Sequence, residues 1–206
     1  MLYPLMNRYV QDRQKVSMLE QWSSVRDQTL VPLAAAVPLQ PTLLFNQGAL
    51  EEAGVEKPEQ ADETVNIDGY AVRGIMMIDK LELKEPIVEG ADPEALKTGI
   101  GIVEPDRYPG GTGNFVVAGH RSWTYGKQFS RLNELESGDR IVVETTKHVY
   151  SYTVTSKFLV QPDDLSVLEQ KKDKAEMTLI TCEPKYNPTH RLIVKAVLEG
   201  DPRSIE

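Results

Sequence analysis

Cys182 is the only cysteine among 206 residues, so its thiol has no internal disulfide partner. It closes the apolar, β-branched run Thr178-Leu179-Ile180-Thr181-Cys182, the pattern of a buried strand whose last residue emerges at a sheet edge or rim. Nine residues later Arg191 opens a second run, Leu192-Ile193-Val194. Far upstream a third, Phe115-Val116-Val117-Ala118, ends in Gly119-His120-Arg121. Three strand ends thus offer a nucleophile, an acid/base and a permanent cation, the parts that thiol acyl transfer requires.

A thiol of ordinary pKa, about 8.5, is only a few per cent thiolate at neutral pH, yet that fraction is strongly nucleophilic. His120 and Arg191 would favour the anion if near, while Glu183 would oppose it if its carboxylate faced the sulfur. The net sign is open at this level. Each residue alone has an ordinary structural reading as a core thiol, a structural histidine or a surface arginine. The combination favours chemistry. Two other histidines compete with His120. His148, among Tyr150 and Tyr152, reads as structural, whereas His190, beside Arg191 and close to Cys182, is a rival for the acid/base.

The elements that must position these groups are mostly short strands. Tyr70-Ala71-Val72 and Gly74 to Ile78 read as one arm of a hairpin and Leu81-Glu82-Leu83 as its return, with a turn at Asp79-Lys80. Asp92 is placed to cap a helical turn with Pro93 at its first position. Pro109-Gly110-Gly111-Thr112-Gly113 is a loop before the histidine strand. Phe129 to Leu135 reads as a short helix ended by Ser137-Gly138-Asp139. Ile141 to Thr145 and His148 to Val154 form a hairpin, Phe158 to Val160 extends the sheet, and the charged stretch 161–177 leads into the cysteine strand. Many short strands with few helices argue for a closed or nearly closed β-barrel.

Before the strands, residues 5–27 place Met6, Tyr9, Val10, Val16, Leu19 and Trp22 at three- and four-residue steps, which predicts an amphipathic helix. It reads as a packing helix, or as a juxtamembrane spacer or cover. Residues 29–64, rich in Pro and Glu, read as a linker with one short helix near Ala49 to Ala53. The expected divisions are 1–28, 29–64 and 65–206. A chain of this length with 40% hydrophobic residues can bury a real core as one globular unit. Its formal net charge of -8, without a long basic block, argues against nucleic-acid partners. No apolar run reaches the roughly 18 residues that cross a bilayer.

The TLITC run with Arg191 after it, and Ala118-Gly119-His120-Arg121 about sixty residues before the cysteine, resemble the sortases, cysteine transpeptidases of the Gram-positive cell surface. Gly74 to Ile78 through Leu83 to Gly90 resembles that family's opening hairpin, and Gly110 to Asn114 its approach to the histidine strand. The resemblance spans roughly residues 65–200. It implies a mainly β fold, a closed eight-stranded barrel with short helices and an N-terminal helical extension. It also implies an enzyme with His120, Cys182 and Arg191 as catalytic residues, and with Thr181 adding a hydroxyl contact to substrate.

By the same resemblance, Cys182 would cleave an LPxTG-like C-terminal sorting signal through a thioester. The acyl group would pass to an amine on a cell-wall precursor or a pilin lysine. Partners would be surface proteins or pilins, and the chain would sit at the extracellular face of the membrane, anchored by an N-terminal segment absent from it. No cofactor is implied. Calcium, bound by acids such as Glu104, Asp106, Asp163, Asp164, Glu169 and Asp173, is the weaker alternative. A class D-like sortase is favoured over the pilin-type class C or class E, since residues 29–64 lack the Asp-Pro-aromatic tripeptide of a pilin-type lid, although Asn187-Pro188-Thr189-His190-Arg191 resembles a pilin-type segment. The rival functions are a thiol hydrolase and a catalytically idle surface β-barrel that binds.

Overall fold

In the computed structural model, the described residues are 3–29, 63–121 and 127–205. The expected linker, its short helix and any lid lie almost wholly outside them, as does most of the loop after His120.

Among the described residues ten strands form one sheet: β1 (Val65–Ile67), β2 (Tyr70–Ile78), β3 (Leu83–Glu89), β4 (Ile100–Ile102), β5 (Gly113–Ala118), β6 (Arg140–Glu144), β7 (His148–Val160), β8 (Ala175–Glu183), β9 (His190–Leu198) and β10 (Arg203–Ser204). The order β2-β3-β4-β5-β8-β9-β7 is closed into a ring because β6 pairs with both β7 and β2. The result is an eight-stranded barrel, as expected, with β1 and β10 as short additions to β2 and β7. Pairing is antiparallel except for β3 with β4 and β5 with β8.

Strand alternation fills the barrel with Met76, Ile87, Phe115, Val117, Ile141, Val143, Tyr150, Tyr152, Leu179, Leu192 and Val194. The segment after the histidine strand adds Phe129, Leu132 and Leu135, all fully buried. The helix expected here is replaced by turns and one 3₁₀ turn, Leu132–Glu134; the buried residues recur at every third position, 129, 132 and 135, the spacing that stacks on one side at three residues per turn. The β2–β3 connection is likewise longer than two residues, a 3₁₀ turn at Asp79–Leu81 followed by Glu82 at φ 51°. The helical turn α2 (Ala95–Thr98) is capped from Asp92, whose carboxylate accepts the amides of Glu94 at 2.9 Å and Ala95 at 3.2 Å. Those bonds hold its pKa below the ordinary value.

The N-terminal helix α1 (Tyr3–Thr29) packs on the outside of β1, β2 and β3. Met18 and Trp22 bury themselves against Ile67, Val72, Ile75, Val88 and Ala95, with Leu19 at the margin. Val16, expected on this face, is 52% exposed. At about 100° per residue it lies some 120° round the helix from Trp22, whereas Met18 lies within about 40°. Polar ties complete the docking: Arg26 pairs with Glu144 at 3.0 Å, and Gln21 donates to Asp68 at 3.0 Å. No described helix is long and apolar enough to cross a membrane.

Candidate active site

The parallel ladder of β5 and β8 aligns Ala118 with Ile180. Beyond it the Gly119 amide donates to the Ile180 carbonyl at 3.1 Å, and the Thr181 hydroxyl donates to the Gly119 carbonyl at 2.7 Å. His120 and Cys182 each lie two residues beyond that last pair. On the other side the antiparallel ladder of β8 and β9 pairs Cys182 with Arg191. Neighbouring strands lie about 4.8 Å apart, so the three backbones fall within roughly 10 Å of one another.

Alternation also fixes the face. Met177 and Leu179 point into the barrel, as do Leu192 and Val194 on β9, so Cys182 and Arg191 share the outward face; His120 lies two residues past the end of β5, whose Phe115 and Val117 also point inward. Cys182 and Arg191 are half-buried and His120 is exposed. Desolvation draws the His120 pKa below its ordinary value. His190 pairs with Glu183 and falls on the opposite parity from Cys182; its ring contacts Gln161 at 3.2 Å and Thr189 at 2.8 Å. His148 sits at the far end of β7, its ring 5.9 Å from that of Tyr150. Thr181, only 2% exposed, spends its hydroxyl on the end of the histidine strand.

The question of whether Glu183 opposes a thiolate is answered by Arg121, a residue quoted in the motif but given no role from sequence. Its guanidinium forms an ion pair with Glu183, donates to the Cys182 carbonyl at 3.4 Å, to the Ser130 carbonyl at 3.2 Å and to Asn133 at 2.9 Å. The carboxylate of Glu183, next in sequence to Cys182, is neutralised, and the end of β8 is tied to the segment that follows His120. The available signal was an Arg next to His120 and an acid next to Cys182, on strands whose pairing was not known. Phe129 closes the same joint: its amide donates to the His120 carbonyl at 3.2 Å. A Cβ on Gly119 would meet the Phe129 ring at 2.7 Å, so only glycine admits the ring there.

Behind the open row, the connection between β7 and β8 is bolted across the outer face. Asn114 donates to the Val167 carbonyl at 2.9 Å, Lys195 donates to the same carbonyl at 2.8 Å and to the Thr178 hydroxyl at 2.7 Å, and Thr178 donates to Asn114 at 2.6 Å. Val116 and Ile193 are fully buried beneath it. Sequence reasoning missed this network, whose members are ordinary strand residues. Among the described residues no group of three or more His, Cys, Asp or Glu is arranged to hold a metal. Glu104 is ion-paired to Arg107, and Asp164 accepts the amide and hydroxyl of Ser166.

A thiol at the end of one strand, paired across the ladder with an arginine and with a histidine just past the end of the adjacent strand, is a set of groups that can form and resolve an acyl-thioester. The sortase-domain family model matches residues 76–199, more than half of the chain. Sortase D of Bacillus subtilis is 32% identical over 149 residues, covering 66% of this chain and 73% of its own. A Clostridium perfringens sortase D5 transpeptidase superposes with a TM-score of 0.58 at 33% identity, covering 63% of this chain and 80% of that one. For sortase C1 of Streptococcus agalactiae the TM-score is 0.61 at 34% identity, with 66% and 71% covered. The matched region contains the whole site, and on these grounds the chain belongs to the sortase family of cysteine transpeptidases.

Proposed function

We infer from the family that this chain attaches surface proteins to the cell envelope. We propose that this chain is a class D-like sortase in which Cys182 is the nucleophile, His120 the acid/base and Arg191 the carbonyl-binding cation, acting on an LPxTG-like sorting signal. What supports the reading is the ladder pair of Cys182 with Arg191, together with the pairing of Ala118 with Ile180, two residues before His120 and Cys182 on adjacent strands. The Cys182 thiolate attacks the scissile carbonyl, a C–S bond forms and the C–N bond breaks. His120 as imidazolium gives its proton to the leaving amine, then takes one from the incoming amine that displaces the thiol. The planar fork of Arg191 donates to the carbonyl oxygen as charge develops, or holds the substrate backbone.

The acceptor is an amine of the cell wall or a pilin, and the enzyme works at the outer face of the membrane, held by an N-terminal anchor. Class D is favoured by the similarity to sortase D and D5 proteins. The test is to incubate the protein with a panel of sorting-signal peptides, with and without candidate amines, and to identify the adduct by mass spectrometry. An acyl adduct on Cys182 that partitions to amine rather than water is the expected result. An adduct that forms and goes only to water makes the protein a thiol hydrolase, and an inert Cys182 that also ignores thiol probes makes it a binding barrel.

A further inference from the structure

Glu85 is a buried carboxylate that the proposed chemistry does not use. It is 1% exposed, paired across the ladder with Met76, and it lies two residues before β3 meets β4. Its partners come from two distant parts of the chain. Lys15, on the N-terminal helix α1, reaches it with Nζ at 2.6 Å, and the backbone amide of Gln128 donates to the same oxygen at 2.7 Å. Burial pushes the Glu85 pKa up, while Lys15 and the Gln128 amide pull it down. Burial outweighs them and leaves the pKa above its ordinary value, and the strongest of the groups that favour the charged form is a cation supplied from outside the barrel.

Gln128 is not a free-standing turn residue. It has a positive φ of 41°, a region that non-glycine residues occupy only when neighbours hold them there. Its side-chain amide donates to the Leu96 carbonyl at 2.6 Å and to the Gly99 carbonyl at 3.3 Å. The next residue, Phe129, donates its amide to the His120 carbonyl and lays its ring against Gly119. A continuous set of contacts thus runs from α1 through Lys15, Glu85, Gln128 and Phe129 to the backbone of His120.

We infer that Lys15 and Glu85 are a positioning pair, through which the N-terminal helix holds the turn that fixes His120 beside Cys182. Loss of the Lys15 cation weakens a charge-assisted hydrogen bond to the Gln128 amide and loosens the anchor of Phe129. The imidazole then samples more orientations, and the proton transfer it performs slows without a matching loss of substrate binding. This rests on the proposed role of His120, and it gives the N-terminal helix a part in the chemistry beyond covering apolar surface.

The test compares Lys15→Met, Lys15→Arg and Arg26→Met in the full chain. Arg26→Met removes a different ion pair between α1 and the barrel, that with Glu144, and leaves Glu85 untouched. Two quantities are read: amide hydrogen exchange of the segment containing Gln128 and Phe129, and kcat and KM for transfer of a sorting peptide. Lys15→Met is expected to speed exchange there by about tenfold and to lower kcat by about tenfold with KM within about twofold. Lys15→Arg restores both, and Arg26→Met changes neither. The inference is overturned if exchange at Gln128 is unchanged in Lys15→Met, if exchange rises while kcat stays within about twofold, or if Arg26→Met has the same effect. A wild-type protein inert to every peptide counts against the proposed function, and exchange, which needs no substrate, then decides whether the pair holds the turn.

Discussion

Where α1 crosses β2 and β3, the outward residues are Val72, Ile75 and Val88, sealed under Met18 and Trp22; where β8 and β9 meet at their ends, they are Cys182 and Arg191, with His120 two residues past the end of β5. Both faces come from the same two-residue alternation on the same barrel. An apolar outer face must be covered, and a helix supplies the cover. The row at the strand ends is polar and nucleophilic, so it tolerates water, and it is held in place by the ladders behind it and by Arg121 beneath. Covering therefore stabilises one face, while rigid backing with an open front equips the other.

The largest test of that contrast is at the acid/base. Replacing His120 by Ala should reduce acyl-enzyme formation by about a thousandfold or more, while His190→Ala should stay within about threefold, followed by the mass of the Cys182 adduct. The reverse order would move the chemistry to the other face of β9. Arg121→Met comes next. It breaks a largely buried ion pair with Glu183, which should cost about 3 kcal/mol in denaturant unfolding. The same guanidinium joins β8 to the segment after His120, so a loss under about 1 kcal/mol would mean that it does not hold the strand end.

On the covered face, Trp22→Ala should lower stability by about 3 kcal/mol in a thermal or denaturant melt and leave the alkylation rate of Cys182 within about twofold. A large loss of thiol reactivity would show that the two faces are not separable. The smallest effect is a titration. Because desolvation disfavours the charged ring, the His120 midpoint measured by NMR should fall below the ordinary 6.5. The imidazolium fraction is therefore lost at lower pH than for a solvent-exposed histidine. A midpoint above 6.5 would reveal a Cys182 thiolate close enough to outweigh desolvation.

Much of the site was legible before the fold was known. TLITC marked a buried strand ending in an emergent thiol, and the runs before His120 and after Arg191 marked two more strand ends. The helix from residue 3 to 29 was visible in outline, but its buried face was misjudged at Val16, since which residues meet the barrel depends on how the helix is rotated onto it. Arg121, Glu85 and Lys15 carried no pattern. Their meaning depends on partners 62, 43 and 70 residues away, beyond the reach of any local period.

Residue order by itself determined which side chains share a face along each strand, because alternation is a local property of extended backbone. It also determined that Cys182 and Thr181 point opposite ways, and that the only thiol stands at the end of a strand. Only the tertiary structure decided that β8 lies between β5 and β9, and in which register. That choice joins segments some sixty residues apart, and a slip of one residue would turn His120 or Arg191 to the other face. Burial of Phe115, Leu179 and Leu192 in a common core is what excludes the slip, since the wrong register would expose them all to water.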